Sequence, residues 1–294
     1  MTYIHFIVNP ISGKGTHNLT GSFIRNFFSR DKYRIEVEYT QFKGHALELA
    51  TTALAKKPDI LVACGGDGTI NEVASCLVHT DIPLGIVPVG SGNGLASNLN
   101  IPRDFENAFS IIRHGHTSQI DVGKVNKQYF FSNMGIGIDA RIIKKYEKAG
   151  KRTLVAYIQA AVKASISYRP REIVLFLNDK EIKAKPFLLF ISNSNEMGYT
   201  MSLTPKASLS DGWLDLVMVP QISIFSQLLL GYRVLRNQIE KFKPASHTLI
   251  ERLKIETADN FTLGAQIDGE FHYMKTYKLK ISIVKSGLKV LTQP

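Results

Sequence analysis

Short apolar runs rich in β-branched residues alternate with stretches of helical spacing over the first third of the chain. Residues 3–8 form an apolar run closed by Asn9-Pro10, which predicts a strand and a turn. Helical spacing follows over 16–28, where Leu19, Phe23 and Phe27 share a face. Residues 33–39 alternate as a strand, 45–55 read as a helix, and 59–64 as a short buried strand that runs into glycines. A helix over 70–78, a strand over 83–87, a glycine-rich turn and a helix from Leu95 complete the series. This alternation with short loops predicts a parallel sheet covered by helices over about residues 1–115.

The pattern then changes. Strand-like runs recur at 121–124, 128–134, 172–177, 181–192, 213–219, 249–256, 262–268 and 277–284, joined by Gly, Asp or Asn turns. Helical insertions interrupt them near 139–164 and 224–241. Many strands without alternating helices predict an antiparallel sandwich or barrel-like second domain. With the boundary near Asp121, the expectation is an α/β domain over 1–121 and a β-rich domain over 122–294.

Composition narrows the class. Of 294 residues, 44% are apolar and 21% charged, which excludes wholesale disorder, collagen and coiled coil. The most apolar stretch, around 222–230, is interrupted by Ser and Gln and falls short of the roughly 20 residues a membrane span needs. The first residues lack the basic start and cleavage site of a signal peptide. With only Cys64 and Cys76, a reduced, cytoplasmic chain is expected. Lys plus Arg exceeds Asp plus Glu by 36 − 25 = +11, which suggests an anionic partner. The positive charge clusters at Arg141, Lys144, Lys145, Lys148, Lys151 and Arg152, again between Lys163 and Arg171, and between Arg233 and Lys243. Solvated helix faces account for such clusters equally well.

Gly65-Gly66-Asp67-Gly68-Thr69 lies between a predicted strand and a predicted helix. Glycines there let the backbone approach a ligand, and the helix start adds amide donors and a positive dipole end. An Asp in such a turn repels bare phosphate, but it suits a metal held between phosphates or a proton taken from a hydroxyl. A tight turn with a capping Asp or Thr is the structural alternative. Pro88-Val89-Gly90-Ser91-Gly92-Asn93-Gly94 repeats the arrangement one unit later, at the sheet edge where open α/β folds bind ligands. Asn9-Pro10-Ile11-Ser12-Gly13-Lys14-Gly15 also follows a strand, but it does not meet the P-loop pattern G-x-x-x-x-G-K-[ST].

In the second half, Asp268-Gly269-Glu270 follows an apolar strand and reads first as a hairpin turn. Asp211 and Asp215, in Asp211-Gly212-Trp213-Leu214-Asp215, suit either a turn or a hard cation. Asp139 follows Gly135-Ile136-Gly137-Ile138 near a predicted helix start, where capping is the plain role. The eight His residues show no metal-ligand spacing, no G-x-S-x-G elbow occurs, and no nucleic-acid-binding motif stands out.

Taken in order, these segments resemble the diacylglycerol kinase catalytic-domain family, which includes bacterial diacylglycerol and related lipid kinases, sphingosine kinases and ceramide kinases. The resemblance runs from Asn9-Pro10 and Gly13-Lys14-Gly15 through Thr40 and His45-Ala46 to Gly65–Thr69 with Ile70-Asn71-Glu72-Val73. It continues through Pro88–Asn93, Gly135–Ala140 and Asp211-Gly212 to Asp268-Gly269-Glu270. It implies an N-terminal three-layer α/β domain similar to NAD kinase and phosphofructokinase, a C-terminal antiparallel β-sandwich domain with helical insertions, and an active site in the cleft between them. ATP is then expected against Asn9, Lys14, Thr40, Gly65, Gly66, Asp67, Gly68, Thr69, Gly90, Ser91 and Asn93. Mg²⁺ is expected near Asp67 and Glu270, with Asp211 and Asp215 at a second, structural ion. Asp139 matches a position that contacts the sphingoid head group in sphingosine kinases. Gly94 departs from bacterial diacylglycerol kinases, which usually carry Asp there; this removes a carboxylate from the metal site and leaves the acceptor open.

The resemblance implies in-line transfer of a γ-phosphate to a lipid hydroxyl. Asp268 is the favoured base with Asp67 at the metal, the converse assignment being the alternative, and Glu270 stands beside Asp268. The helical insertions, with basic residues beside apolar ones, are candidates for a lipid entrance resting transiently on the inner face of an anionic membrane. A core role for these faces is the alternative. No nucleic-acid partner is expected, and exposed edge strands would permit a homodimer. The rival readings are a soluble NAD-kinase-like enzyme and a non-catalytic nucleotide- or anion-binding regulator.

Overall fold

A computed structural model describes residues 1–13, 15, 17–90, 92–150, 153–197, 201–258 and 260–293. The chain forms two compact units, Met1–Ile120 with Lys285–Pro294, and Asp121–Val284. A single cut near residue 121 does not include this return: the last ten residues join unit 1, because Val290 pairs in parallel with Leu84 of the first sheet.

Unit 1 is the expected α/β domain. Strands β1 (Thr2–Val8), β2 (Tyr33–Tyr39), β3 (Ile60–Gly65) and β4 (Leu84–Pro88) pair in parallel in the order β2-β1-β3-β4. The runs in β1, β3 and β4 are buried almost without alternation, as a sheet covered on both faces requires. The intervening helices are α1 (Gly21–Arg25), α2 (His45–Ala55), α3 (Asp67–Leu77), α4 (Gly94–Asn98) and α5 (Phe105–His114), before β5 (His116–Val125). The helix expected over 16–28 is only one turn long. Thr20 caps it, accepting from the Phe23 N–H at 3.2 Å, and Phe27 and Phe28 follow in turns. Their rings, with Phe6 and Phe23, surround the fully buried Phe109 of α5 at centroid distances of 4.9 to 6.4 Å. The pattern of the first 121 residues did not predict α5, which Asp104 caps by accepting from the Asn107 N–H.

Unit 2 is antiparallel. Its elements are β6 (Gln128–Phe130), β7 (Asn133–Gly137), α6 (Ile138–Lys148), α7 (Leu154–Ser167), β8 (Ile173–Leu177), β9 (Lys180–Ala184), β10 (Pro186–Ser192), β11 (Leu214–Pro220), α8 (Ile224–Leu235), β12 (Ser246–Ile250), β13 (Arg252–Thr257), β14 (Gly264–Ile267), β15 (Glu270–Tyr273) and β16 (Lys278–Thr292), whose end lies in unit 1. One sheet runs β12-β11-β10-β7-β14-β15, and opposite it β13 pairs with both β16 and β8, and β8 with β9. A single apolar core fills the space between the sheets, with Met134, Leu189, Ile191, Leu216 and Ile267 from one and Leu175, Ile255 and Ile281 from the other. The alternate residues Phe190, Val217 and Val219 face Ala164 of α7 and Leu230 of α8 on the outside of the first sheet. With both faces covered, β10 is buried throughout.

The aromatic cluster gives a direct check on unit 1. Phe109→Ala should destabilise it by about 3–5 kcal/mol, the usual cost of emptying a packed aromatic site. Urea denaturation of the purified variant reads this, and a loss below about 1 kcal/mol would contradict the packing described.

Candidate active site

In unit 1 the turns after β1, β3 and β4 meet backbone to backbone. The Asn9 N–H donates to the Cys64 carbonyl at 2.9 Å, and the Val89 N–H to the Gly65 carbonyl at 2.9 Å. A Cβ on Gly13 (φ +67°) would collide with the Val89 carbonyl oxygen, and one on Gly90 would meet the Gly66 Cα at 2.5 Å. Glycine is therefore required for the close approach itself.

Asp67 locks this arrangement. Its Oδ2 accepts from the Asn93 N–H at 2.8 Å and its Oδ1 from the Gly94 N–H at 2.6 Å. Gly92 must be bare, because a Cβ there would stand 2.6 Å from Asp67 Oδ2. The Asn9 side chain donates to Thr69 Oγ1 at 3.0 Å, and Thr69 is itself packed over Gly65. Thr40, buried at the end of β2, donates its N–H to the Val8 carbonyl. The structure thus gathers Asn9, Gly65, Gly66, Asp67, Thr69, Gly90 and Asn93 at one sheet edge. Gly68 stands in the first turn of α3, whose N-cap Gly66 supplies no capping side chain, so the helix start presents the geometry that takes up phosphate. Asn93, in the left-handed region, leaves its Oδ1 buried and without a hydrogen-bond partner among the described residues. Lys14 and Ser91 lie outside the described residues.

In unit 2, Asp268 and Gly269 form the hairpin turn between β14 and β15, both at positive φ as a two-residue type I′ turn demands. The Asp268 carboxylate also reaches back to the turn before β7. Oδ2 accepts from the Phe131 N–H at 2.9 Å, and Oδ1 from the Ser132 and Asn133 N–H groups at 2.8 and 3.1 Å. Glu270 pairs with Ile267 across the turn.

Asp211 and Asp215, two of the carboxylates expected at a metal, each accept hydrogen bonds within unit 2. Asp215 is buried with its Oδ1 2.6 Å from His247 Nε2, and burial raises its pKa against the opposing effect of that histidine. Asp211 accepts from the Trp213 N–H of its own turn at 3.0 Å. No three His, Cys, Asp or Glu side chains cluster as a metal site among the described residues. The charge of Asp211 adds to the rise at Asp215, so the two carboxylates lie within electrostatic reach of each other. The partner of Asp215 stands on β12, 32 positions on, and carries no local sequence signal.

Asp139 is not an exposed cap. It is 3% exposed, its Oδ2 has no hydrogen-bond partner among the described residues, and a Cβ at Gly135 would collide with it. Burial pushes its pKa up to about 7, with a hydrogen bond from Gln266 opposing. Asp139 lines a cavity of about 430 Å³ walled by α6, α7 and α8, where Tyr157, Val162, Leu203, Leu228 and Val234 make the surface overwhelmingly apolar. The sequence pattern marked the two helical insertions but gave no sign that they enclose space, nor that Tyr157 stands within the electrostatic reach of Asp139.

Comparison with known proteins agrees with this architecture. Residues 3–125 match the diacylglycerol kinase catalytic domain, and residues 132–291 match the YegS C-terminal NAD kinase beta sandwich-like domain. A diacylglycerol kinase of Bacillus subtilis is 29% identical over 276 residues, covering 92% of this chain and 90% of its own. One of Staphylococcus aureus is 27% identical over 274 residues, covering 90% and 85%. The crystal structure of a diacylglycerol kinase from Bacillus anthracis superposes with a TM-score of 0.72 at 19% identity, covering 99% of this chain and 97% of that one. A further structure from the same organism gives 0.81 at 20% identity, covering 99% and 95%. With both units matched in order, the chain belongs to the diacylglycerol kinase catalytic-domain family.

Proposed function

We propose that this chain is an ATP-dependent lipid kinase, transferring the γ-phosphate of ATP to the hydroxyl of a diacylglycerol- or sphingoid-like lipid. The observation that carries this reading is the apolar cavity of unit 2 with its buried Asp139. A site for a soluble dinucleotide would need polar groups where α7 and α8 present Ile158, Val162 and Leu228. The cavity suits hydrocarbon, and the carboxyl suits a polar head group.

In this reading residues 1–121 hold the nucleotide and 122–294 complete the lipid site. The turn amides around Gly66, Gly68 and Gly90 bind phosphate oxygens, with Asn9, Thr40 and Thr69 shaping the edge and Lys14 and Ser91 adding to it. A kinase Mg²⁺ uses one or two protein carboxylates plus substrate phosphates and water. A carboxylate offers about four acceptor positions, and the Asn93 and Gly94 amides take two of them at Asp67. Asp67 would hold the ion on the unit 1 side, and the ion would supply charge neutralisation for phosphoryl transfer. Asp268, held in place by the Phe131, Ser132 and Asn133 amides, accepts the proton of the lipid hydroxyl.

No helix among the described residues is long and apolar enough to cross a membrane. Helices α7 and α8 nonetheless expose Val155 and Phe225, and at the open side of the cavity Ile166 and Leu228, at 63–80%, with Lys163, Arg233 and Arg236 on or beside the same helices. Such faces suit transient peripheral contact with an anionic, cytoplasmic membrane surface.

Transfer of labelled γ-phosphate, with Mg²⁺, to a panel of diacylglycerol, sphingoid base, ceramide, phosphatidylglycerol, undecaprenol and NAD tests the reading. Label should enter one lipid, faster on anionic than on neutral vesicles at low salt. Asp67→Asn and Asp268→Asn should each lower turnover by about 10² or more. Label on NAD alone, or none despite ATP binding, would overturn the assignment.

Asp139 yields a separate prediction. Its folded pKa of about 7 exceeds the ordinary 3.8, so between these values the folded chain holds a proton that the unfolded chain releases. Its contribution is therefore most favourable below pH 4 and is lost as pH rises through 7. Asp139→Asn should flatten that fall, by up to about 1.4 kcal/mol per pH unit, while reducing lipid turnover. Denaturant unfolding at pH 5 and pH 8 measures it, and an unchanged pH slope would contradict the burial of an ionisable Asp139.

A further inference from the structure

The other face of α6 lines a second cavity, of about 280 Å³, that shares no lining residue with the apolar one. Arg141 and Lys144 face it from α6, and Arg169 and Arg171 from the segment between α7 and β8, while no lining residue is acidic. None of these four cations pairs with a carboxylate among the described residues. Arg141 donates to Ser167 Oγ at 3.0 Å and Arg169 to the Tyr168 carbonyl at 3.1 Å. Arg171 stacks on the Phe261 ring, 4.0 Å from its centroid, and Lys144 lies over Phe271 and Tyr273.

The nearby carboxylates are occupied elsewhere. Glu147 Oε1 accepts from the Phe271 N–H at 2.8 Å, and Glu172 lies 3.5 Å from Lys185. The Lys144 ammonium hydrogen-bonds the Tyr273 phenol, and that bond, with the charge of Lys144, lowers the phenol's pKa. Each guanidinium carries five N–H donors in a planar fork. Three such forks and an ammonium around one concavity form a donor set that matches the oxygens of a phosphate group. Like charges at this spacing repel one another, and a dianion relieves that repulsion. The rings of Phe261, Phe271 and Tyr273 hold two of the cations in place and leave an apolar wall beside them.

We propose that this pocket is a second anion site, which takes the phosphate group of a phosphomonoester, with the aromatic wall against the ligand's small organic part. It does not depend on the acceptor assigned above, since binding alone reads it. Because Arg141 and Lys144 share α6 with Asp139, a ligand here acts on the helix that also bounds the apolar cavity.

Two probes separate the sources of such a group. Calorimetric titration with glycerol 3-phosphate tests a soluble ligand, and co-flotation with vesicles containing phosphatidic acid, against phosphatidylcholine alone, tests a lipid head group. At least one probe should bind saturably at low ionic strength. Arg141→Gln with Arg171→Gln should weaken that binding by about tenfold or more, as should Arg169→Gln with Arg171→Gln. A variant with the same charge loss elsewhere on unit 2, Lys183→Gln with Lys280→Gln, should leave it within about twofold. Circular dichroism establishes that each variant is folded. Absence of saturable binding by both probes, binding unchanged in both arginine pairs, or an equal loss in the lysine pair would overturn the proposal.

Discussion

The carboxylate of Asp67 accepts two amide N–H groups from a turn that begins twenty-six residues further on, and the candidate nucleotide edge of unit 1 depends on this clamp. The turns after β3 and β4 have no side chains between them: Gly66 faces Gly90, and Gly92 faces Asp67 itself. Such contact brings backbone donors to one place, but it leaves no apolar surface to hold the turns together. A charge-assisted pair of hydrogen bonds supplies that hold, at a helix start where a carboxylate is favoured by the dipole. Asp67 therefore has a structural task before any catalytic one, and its two amide partners offset part of the charge that would repel a phosphate at this turn. Gly94 contributes its backbone N–H to the same clamp.

Unit 2 works by a different constraint. Its first sheet is covered on both sides, by the second sheet and by α7 and α8, so β10 is buried throughout and apolar up to Ser192. Helix α6 then separates two environments of opposite character. Ile138, Asp139 and Ile142 meet the apolar cavity, while Arg141 and Lys144 meet the cationic one. Burying Asp139 with an unpartnered oxygen costs stability, and the proposed lipid site would give that cost a purpose.

Local patterns made much of this legible. The glycine turns stood out because close backbone approach requires glycine and leaves its mark at each position, Gly13, Gly66, Gly90 and Gly92. The Asp268-Gly269 hairpin was readable for the same reason, since both positions need positive φ. What the pattern missed depends on partners distant in sequence. Phe27 and Phe28 have helical spacing, yet they leave the helix to pack on Phe109 of α5. Asp215 gives no hint in sequence of His247, which the structure places beside it. Asp139 reads as a cap until the sheet and three helices close around it. The return of β16 to unit 1 rests on one pairing, Val290 with Leu84, that no local signal announces.

The central claim is that the clamped turns of unit 1 hold Mg·ATP through their backbone amides. Hydrogen–deuterium exchange with and without saturating Mg·ATP tests it most directly. The account predicts that, within unit 1, protection concentrates in peptides covering residues 9–15, 65–70 and 88–94. Unchanged exchange in those peptides, with protection appearing elsewhere in unit 1, would contradict it.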